Sequence, residues 1–296
     1  MMFDSIDQVR ESLFAHSYVC NRELATILYL ATKLGKPLFL EGEAGVGKTE
    51  VAKVLASVLE TRLIRLQCYE GLDIHNAVYE WDYARQILHL RILEASDASR
   101  AEMEHDLYSD EFLLARPLLQ AISQVGERPP VLLIDEIDRA DEEFESFLLE
   151  ILSDFQITIP EIGTIRAENP PLVVITSNRT REVHDALKRR CLYQWIDYPD
   201  FDTEYQIVQM KTPGIPETLT RQIVAGVQRL RQEELFKAPG VAETLDWANA
   251  LLAMDCQVLD EQSVRDTLGV LLKYQDDVQK TRGEIARELA NFKHAA

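Results

Sequence analysis

One string limits what this chain can fold into more than any other: Glu41-Gly42-Glu43-Ala44-Gly45-Val46-Gly47-Lys48-Thr49-Glu50. Residues 42–49 fit G-x-x-x-x-G-K-[ST], a pattern that carries a mechanism only where a strand ends and a helix begins. That context is present. Pro37-Leu38-Phe39-Leu40 reads as a short apolar strand and Lys48 to Leu59 as a helix. Glycines let backbone N–H groups turn inward around a phosphate chain, and the helix N-terminus adds partial positive charge. Lys48 is then expected to reach the β- and γ-phosphates and Thr49 to ligate Mg²⁺. The bland alternative, a plain glycine turn, leaves the flanking strand and helix unused.

A second apolar run, Val131-Leu132-Leu133-Ile134, ends in Asp135-Glu136. Two carboxylates at the end of a buried strand are costly unless a cation and a reacting water lie there. Asp135 is expected to hold Mg²⁺, directly or through water, and Glu136 to polarise a water for attack on the γ-phosphate. On its own the run would read equally well as a helix cap; after the phosphate loop it argues for hydrolysis. A third run, Leu172 to Thr176, continues into Ser177-Asn178. Ligands gather at the carboxyl ends of strands in open α/β sheets, so Asn178 is placed to hold the attacking water or a γ-phosphate oxygen. A turn-forming Asn is the alternative.

Further strands are expected at Leu63 to Leu66 and Leu192 to Ile196, separated by helical segments, as in a parallel sheet buried on both faces. A helix is expected over residues 21–34, with Asn21 at its start and Gly35 as its stop. After Pro199 strand signals cease. The expected architecture is an α/β nucleotide-binding domain over residues 1–200, followed by a small all-α lid over 201–296. Thirty-one Lys+Arg against 50 Asp+Glu leave a formal charge of −19, and residues 201–296 hold 11 of the basic and 15 of the acidic residues. The α/β part therefore carries −15. Such a field repels a polyanionic backbone, so nucleic acid is not an expected partner. Acidic residues between Glu94 and Glu111 (Asp97, Glu102, Glu104, Asp106, Asp110) read as a solvated helix or loop. Cys20, Cys68, Cys191 and Cys256 lie far apart and read as core thiols. The first residues lack a signal-peptide pattern, and no apolar run approaches the roughly 18 residues that cross a bilayer. A cytoplasmic, reducing setting is expected.

The phosphate loop, the Asp-Glu strand, a strand ending in Asn and an Arg pair before one more strand follow in the order of AAA+ ATPases, which the chain resembles over residues 20–290. Asp135-Glu136-Ile137-Asp138-Arg139-Ala140, Leu148-Leu149-Glu150-Ile151-Leu152 and the hairpin-like Gln156-Ile157-Thr158-Ile159-Pro160 resemble the MoxR group, whose strings are DEINRA, ALLEAM and Q-V-T-I. Within it, the Glu41–Glu50 string and Glu70-Gly71-Leu72-Asp73 resemble the CoxD-type branch, associated with maturing the molybdenum/copper site of carbon monoxide dehydrogenase. The resemblance implies Mg-ATP as cofactor, a homo-oligomeric ring, a hexamer by expectation, a von Willebrand A-domain adaptor and a metalloenzyme client. It implies that Asn178 is sensor 1 and that Arg190, with Arg189 as fallback, reaches the neighbouring subunit's nucleotide. An arginine so delivered speeds hydrolysis by about 10³ to 10⁵. A basic surface turn is the alternative. The chain departs from the group at Asp138, where the string has Asn, and at Asp246-Trp247-Ala248, where a lid arginine is usual; Trp247 is then lid core or a neighbour of adenine.

Two segments are candidates for gripping a client: Cys68 to Tyr83, with Tyr69, Tyr79, Trp81 and Tyr83, and a hairpin over Phe155 to Arg166 that precedes the sensor 1 strand. The function expected is an ATP-hydrolysing chaperone that remodels a protein. The alternatives are a nucleic-acid motor or loader, opposed by charge, and a nucleotide-gated binding module that hardly hydrolyses. A small-molecule kinase ranks last.

Overall fold

The computed structural model describes residues 3–94, 107–124, 126, 128–283, 286 and 288–289. Asp97, Glu102, Glu104 and Asp106 lie outside them, so the expectation for that part of the acidic stretch falls beyond what is described; Asp110 opens a short 3-10 helix, Asp110–Phe112. No helix among the described residues is long and apolar enough to cross a membrane.

The chain order begins with α1 (Ile6–Ala15), α2 (Arg22–Leu34), β1 (Leu38–Gly42), α3 (Lys48–Val58) and β2 (Leu63–Gln67). A short α4 (Ile74–Ala77), β3 (Tyr79–Trp81), α5 (Tyr83–Glu94), β4 (Leu113–Ala115) and α6 (Pro117–Ile122) follow. Then come β5 (Val131–Asp135), α7 (Glu142–Asp154), β6 (Gln156–Ile159), β7 (Gly163–Arg166), β8 (Leu172–Ser177), α8 (Asp185–Arg190) and β9 (Leu192–Ile196). The helices α9 (Phe201–Lys211), α10 (Glu217–Leu230), α11 (Val241–Ala253), α12 (Glu261–Leu271) and α13 (Gln275–Thr281) complete it.

β1, β2, β5, β8 and β9 form one parallel sheet in the order β2-β5-β8-β1-β9. β1, β5 and β8 are buried at every residue, which is why they read as continuous apolar runs without alternation. All five strands expected from the sequence are present, and α2 stops at Gly35, whose positive φ of 61° suits glycine. The hairpin is also there: β6 and β7 pair antiparallel, Gln156 opposite Arg166. Its Ile157 and Ile159 are buried. α1, α5 and the antiparallel pair β3–β4, which brackets α5, were not expected. Within Cys68 to Tyr83, Cys68 and Trp81 enter the core, whereas Tyr69 and Tyr83 stay exposed.

The described chain divides into two compact units. The first comprises Met1–Val9, Glu23–Glu41 and Ala52–Gln194; the second comprises Arg10–Arg22, Gly42–Val51 and Trp195–Ala296. In the first, a core gathers Phe39, Leu132, Ile134, Ile175, Leu148 and Leu187 among others. In the second, the core is helical and centres on Trp247, which is fully buried beside Gly226 of α10 and donates from Nε1 to Thr267 Oγ1 at 2.7 Å. Trp247 is thus part of a helical core. A buried pair stiffens the same unit: Arg231 grips both oxygens of Glu204 at 2.7 Å each, while its Nε donates to the Pro239 carbonyl at 2.8 Å. Bidentate geometry and added hydrogen bonds are what a buried ion pair needs to offset its desolvation.

Candidate functional site

In the first unit the carboxyl ends of β5 and β8 lie side by side, because the two strands run parallel in adjacent register. Asp135 closes β5 and is buried. Its Oδ1 accepts from Thr176 Oγ1 at 2.6 Å, and its Oδ2 accepts from Arg65 Nη2 at 2.6 Å and Nε at 3.0 Å. Glu136 then leaves the strand in a left-handed conformation (φ 56°, ψ 51°) that non-glycine residues rarely adopt. That turn is secured by the Glu136 N–H, which donates to Thr176 Oγ1 at 2.9 Å. The Glu136 carboxylate accepts from Gln67 Nε2 at 3.0 Å, Arg139 Nε at 2.9 Å and Asn178 Nδ2 at 3.3 Å. The expected base and the expected sensor are thus brought together.

Asp138 faces the same loop. Its Oδ1 accepts the Asn178 N–H at 3.1 Å, and its Oδ2 accepts the Thr180 N–H at 2.9 Å and the Thr180 hydroxyl at 2.6 Å. Burial pushes the Asp138 carboxyl up, but the bonds from Thr180 and Asn178 outweigh it and hold the group below the ordinary carboxylate value.

Arg65, Gln67, Thr176 and Arg139 were not singled out from the sequence. A signal for two of them was there: in L-I-R-L-Q, Ile64 and Leu66 are buried, so Arg65 and Gln67 project from the other face of β2. Gln67 lies opposite Asp135 across the strand pair.

α8 carries the expected finger. Arg190 is exposed, donating from Nε to Ser153 Oγ of α7 at 2.9 Å, and Arg189 is exposed beside Asp185. Lys188 pairs with buried Glu41 at 3.1 Å and lies over the Phe39 ring, so α8 is fastened to the strand that precedes the phosphate loop.

In the second unit, residues 42–51 form the loop and the first turn of α3. Gly45 and Gly47 take positive φ values of 79° and 96°, as a phosphate-wrapping turn requires. Gly42 has no room for a side chain, since a Cβ would lie 2.1 Å from the Ile196 carbonyl oxygen. Lys48 is buried and donates to the carbonyls of Gly42 at 2.8 Å and Glu43 at 2.6 Å, folding its ammonium back over the loop. Glu50 pairs with Lys211 at 3.0 Å. The N-terminus of α11 rests on the same loop: Ala242 N–H donates to the Gly45 carbonyl at 3.1 Å, and a Cβ on Gly240 would come within 2.8 Å of the Ala44 carbonyl oxygen. Tyr18 lies against Gly47, and burial pushes its phenol up.

The family described as AAA domain (dynein-related subfamily) matches residues 37–191, from the start of β1 to the end of α8. An uncharacterized protein of Staphylococcus haemolyticus is 24% identical over 247 residues, covering 79% of this chain and 85% of that one. Chaperone protein ClpB of Agrobacterium fabrum is 26% identical over 233 residues, 76% of this chain but only 22% of ClpB. The crystal structure of a candidate ATPase from Cytophaga hutchinsonii shares the fold with a TM-score of 0.50 at 17% identity, covering 95% of this chain and 86% of that one.

Proposed function

This chain belongs to the AAA domain family, in its dynein-related subfamily, and is an ATPase; on that premise we propose that it is a ring-forming, Mg-ATP-driven chaperone that remodels a protein client. The observation that carries the reading is the Glu136 carboxylate, presented at the carboxyl end of β5 and fixed by Gln67, Arg139 and Asn178. A carboxylate so aimed serves as general base: Glu136 takes the proton of the water that attacks the γ-phosphate, and the Asn178 amide orients that water. Gly42, Glu43, Ala44, Gly45, Val46, Gly47, Lys48, Thr49 and Glu50 bind the nucleotide, with Lys48 exchanging its two backbone carbonyls for phosphate oxygens. Arg190 of one subunit serves the site of the next.

The donor set fits magnesium. No three His, Cys, Asp or Glu side chains gather as a metal cage among the described residues, and Mg²⁺ prefers one or two oxygen ligands plus phosphates to such a cage. Thr49 and Asp135 would supply those oxygens, and the ion would neutralise charge on the transferring phosphoryl group. One Asp135 oxygen already receives a cation, Arg65.

Likeness to a chaperone supports protein remodelling. The strings shared with the MoxR group and its CoxD-type branch support the narrower reading: a metalloenzyme client, a von Willebrand A-domain adaptor and a hexamer. The boundary near residue 200 belongs to the same proposal.

Ring dependence is the test. Turnover per subunit should rise with protein concentration, and Arg190→Ala subunits should poison wild-type ones in mixtures. Concentration-independent turnover at full rate would overturn the assembly, and Arg189→Ala poisoning in its place would move the finger by one residue.

A further inference from the structure

Asp138 touches neither an expected phosphate nor an expected metal ligand, yet it makes three hydrogen bonds into the one loop that carries Asn178. Two residues of this region occupy the left-handed region without being glycine: Glu136 at φ 56° and Arg179 at φ 57°. Each such residue costs on the order of 1–3 kcal/mol and persists only where its surroundings over-determine it. Thr176 holds the first from the amide side. Asp138 brackets the second, taking the N–H groups on either side of it, those of Asn178 and Thr180.

The chemistry explains why a carboxylate stands here and not an amide. Three donors converge on two oxygens: two backbone N–H groups and one hydroxyl. A carboxylate is acceptor only and satisfies all three. An asparagine would turn an NH₂ toward one side of that set, losing at least one bond and facing a donor with a donor. Asp138 is nearly fully buried, which removes water as a competitor for those donors.

We propose that Asp138 is a positioning residue for hydrolysis: by clamping residues 178–180 to the turn after β5, it keeps the Asn178 amide and the Glu136 carboxylate in one attack geometry. Asp138 does not contact the reacting atoms. It acts through Asn178, whose Nδ2 stands 3.3 Å from Glu136 Oε1. Misplacing a catalytic group by an ångström can slow a reaction by about 100-fold, so the effect belongs in kcat and not in nucleotide affinity.

The proposal rests on the hydrolysis reading above, and the experiment separates the two. Steady-state turnover and nucleotide titration are compared for the full chain and for Glu136→Gln, Asp138→Asn, Thr180→Val, Asn178→Ala and the double variant Asp138→Asn/Asn178→Ala, at a protein concentration where turnover per subunit has reached its plateau. Asp138→Asn should lower kcat by about 10- to 100-fold with KM and nucleotide Kd within about two-fold. Thr180→Val, which deletes one of the three bonds, should lose about 3- to 10-fold. In the Asn178→Ala background, Asp138→Asn should add no further loss, because the two act as one unit. Unchanged kcat in Asp138→Asn, or a loss that multiplies in full with that of Asn178→Ala, overturns the proposal. Should Asp138→Asn not fold, the same cycle is read with Thr180→Val in its place. Wild-type turnover by Glu136→Gln would instead sink the hydrolysis reading itself, whatever Asp138 does.

Discussion

The carboxyl end of β5 and the junction between Gly45 and Gly240 are built on opposite principles. At the first, carboxylates organise the region: Asp135, Glu136 and Asp138 are each met by side-chain or backbone donors from neighbouring strands and loops, and two residues there, Glu136 and Arg179, have positive φ. At the second, two glycines meet, and Glu243 Oε2 accepts the Gly240 N–H at 3.0 Å beside them. A Cβ on Gly240 would crowd the Ala44 carbonyl oxygen, and the Ala242 N–H donates to the Gly45 carbonyl at 3.1 Å. A polar cluster fixes where charges and donors stand, while a glycine contact chiefly fixes how closely two backbone segments approach.

The comparison breaks most visibly at Glu136. Glu136→Gln should cut phosphate release by about 10² to 10⁴ while a fluorescent nucleotide still binds, since the loop region is untouched. Next in size is the support beneath the glycine junction. Trp247 lies on the helix that begins at Gly240 and is fully buried, so Trp247→Ala should destabilise the helical unit by about 3–5 kcal/mol in urea unfolding. Smaller, and more pointed, is Gly240→Ala: the new methyl meets the Ala44 carbonyl oxygen and the Gly45 carbonyl carbon, which should cost about 1–3 kcal/mol and weaken nucleotide affinity together with it. Gly269→Ala on α12, where a Cβ finds open space, should instead stabilise by about 0.5–1 kcal/mol and leave affinity alone. Equal losses at the two glycines would show that the junction has no special shape.

The smallest effect is confined to acid. Hydrogen bonding holds the folded Asp138 carboxyl below its ordinary value, so its contribution to stability is complete above about pH 4 and is lost as pH falls through the folded value. Asp138→Asn should therefore flatten the acid limb of a stability-against-pH curve and leave its neutral plateau lower. An unaltered acid limb would mean that the clamp is not charged.

What could be read from the sequence was local. A glycine-rich turn between a strand and a helix, an apolar run ending in two carboxylates and another ending in Asn178 are each written within a few consecutive residues. The pairing of β5 with β8 brings the last two together but adds no new letters. Arg65 and Gln67 went unread because they matter only once β2 lies beside β5, a pairing across about 70 residues of chain; Arg65 and Asp135 are 70 apart in sequence. β3 and β4 escaped for the same reason, since Tyr79 pairs with Ala115. In the sequence Asp138 stands out only as a departure from the DEINRA string, because its partners lie on a loop 40 residues further on. Cysteines expected in the core are mixed: Cys68 is buried, with its thiol pushed up to about 12 by desolvation, while Cys20, Cys191 and Cys256 are half-buried.

The contact between Gly45 and Gly240 has one more implication. The Glu243 carboxylate lies against both glycines and takes the Gly240 N–H at 3.0 Å, so the seam joins two side-chain-free residues through one charged group from the first turn of α11. Such a seam answers to two kinds of change, bulk added at either glycine and loss of the Glu243 charge that holds the start of the helix.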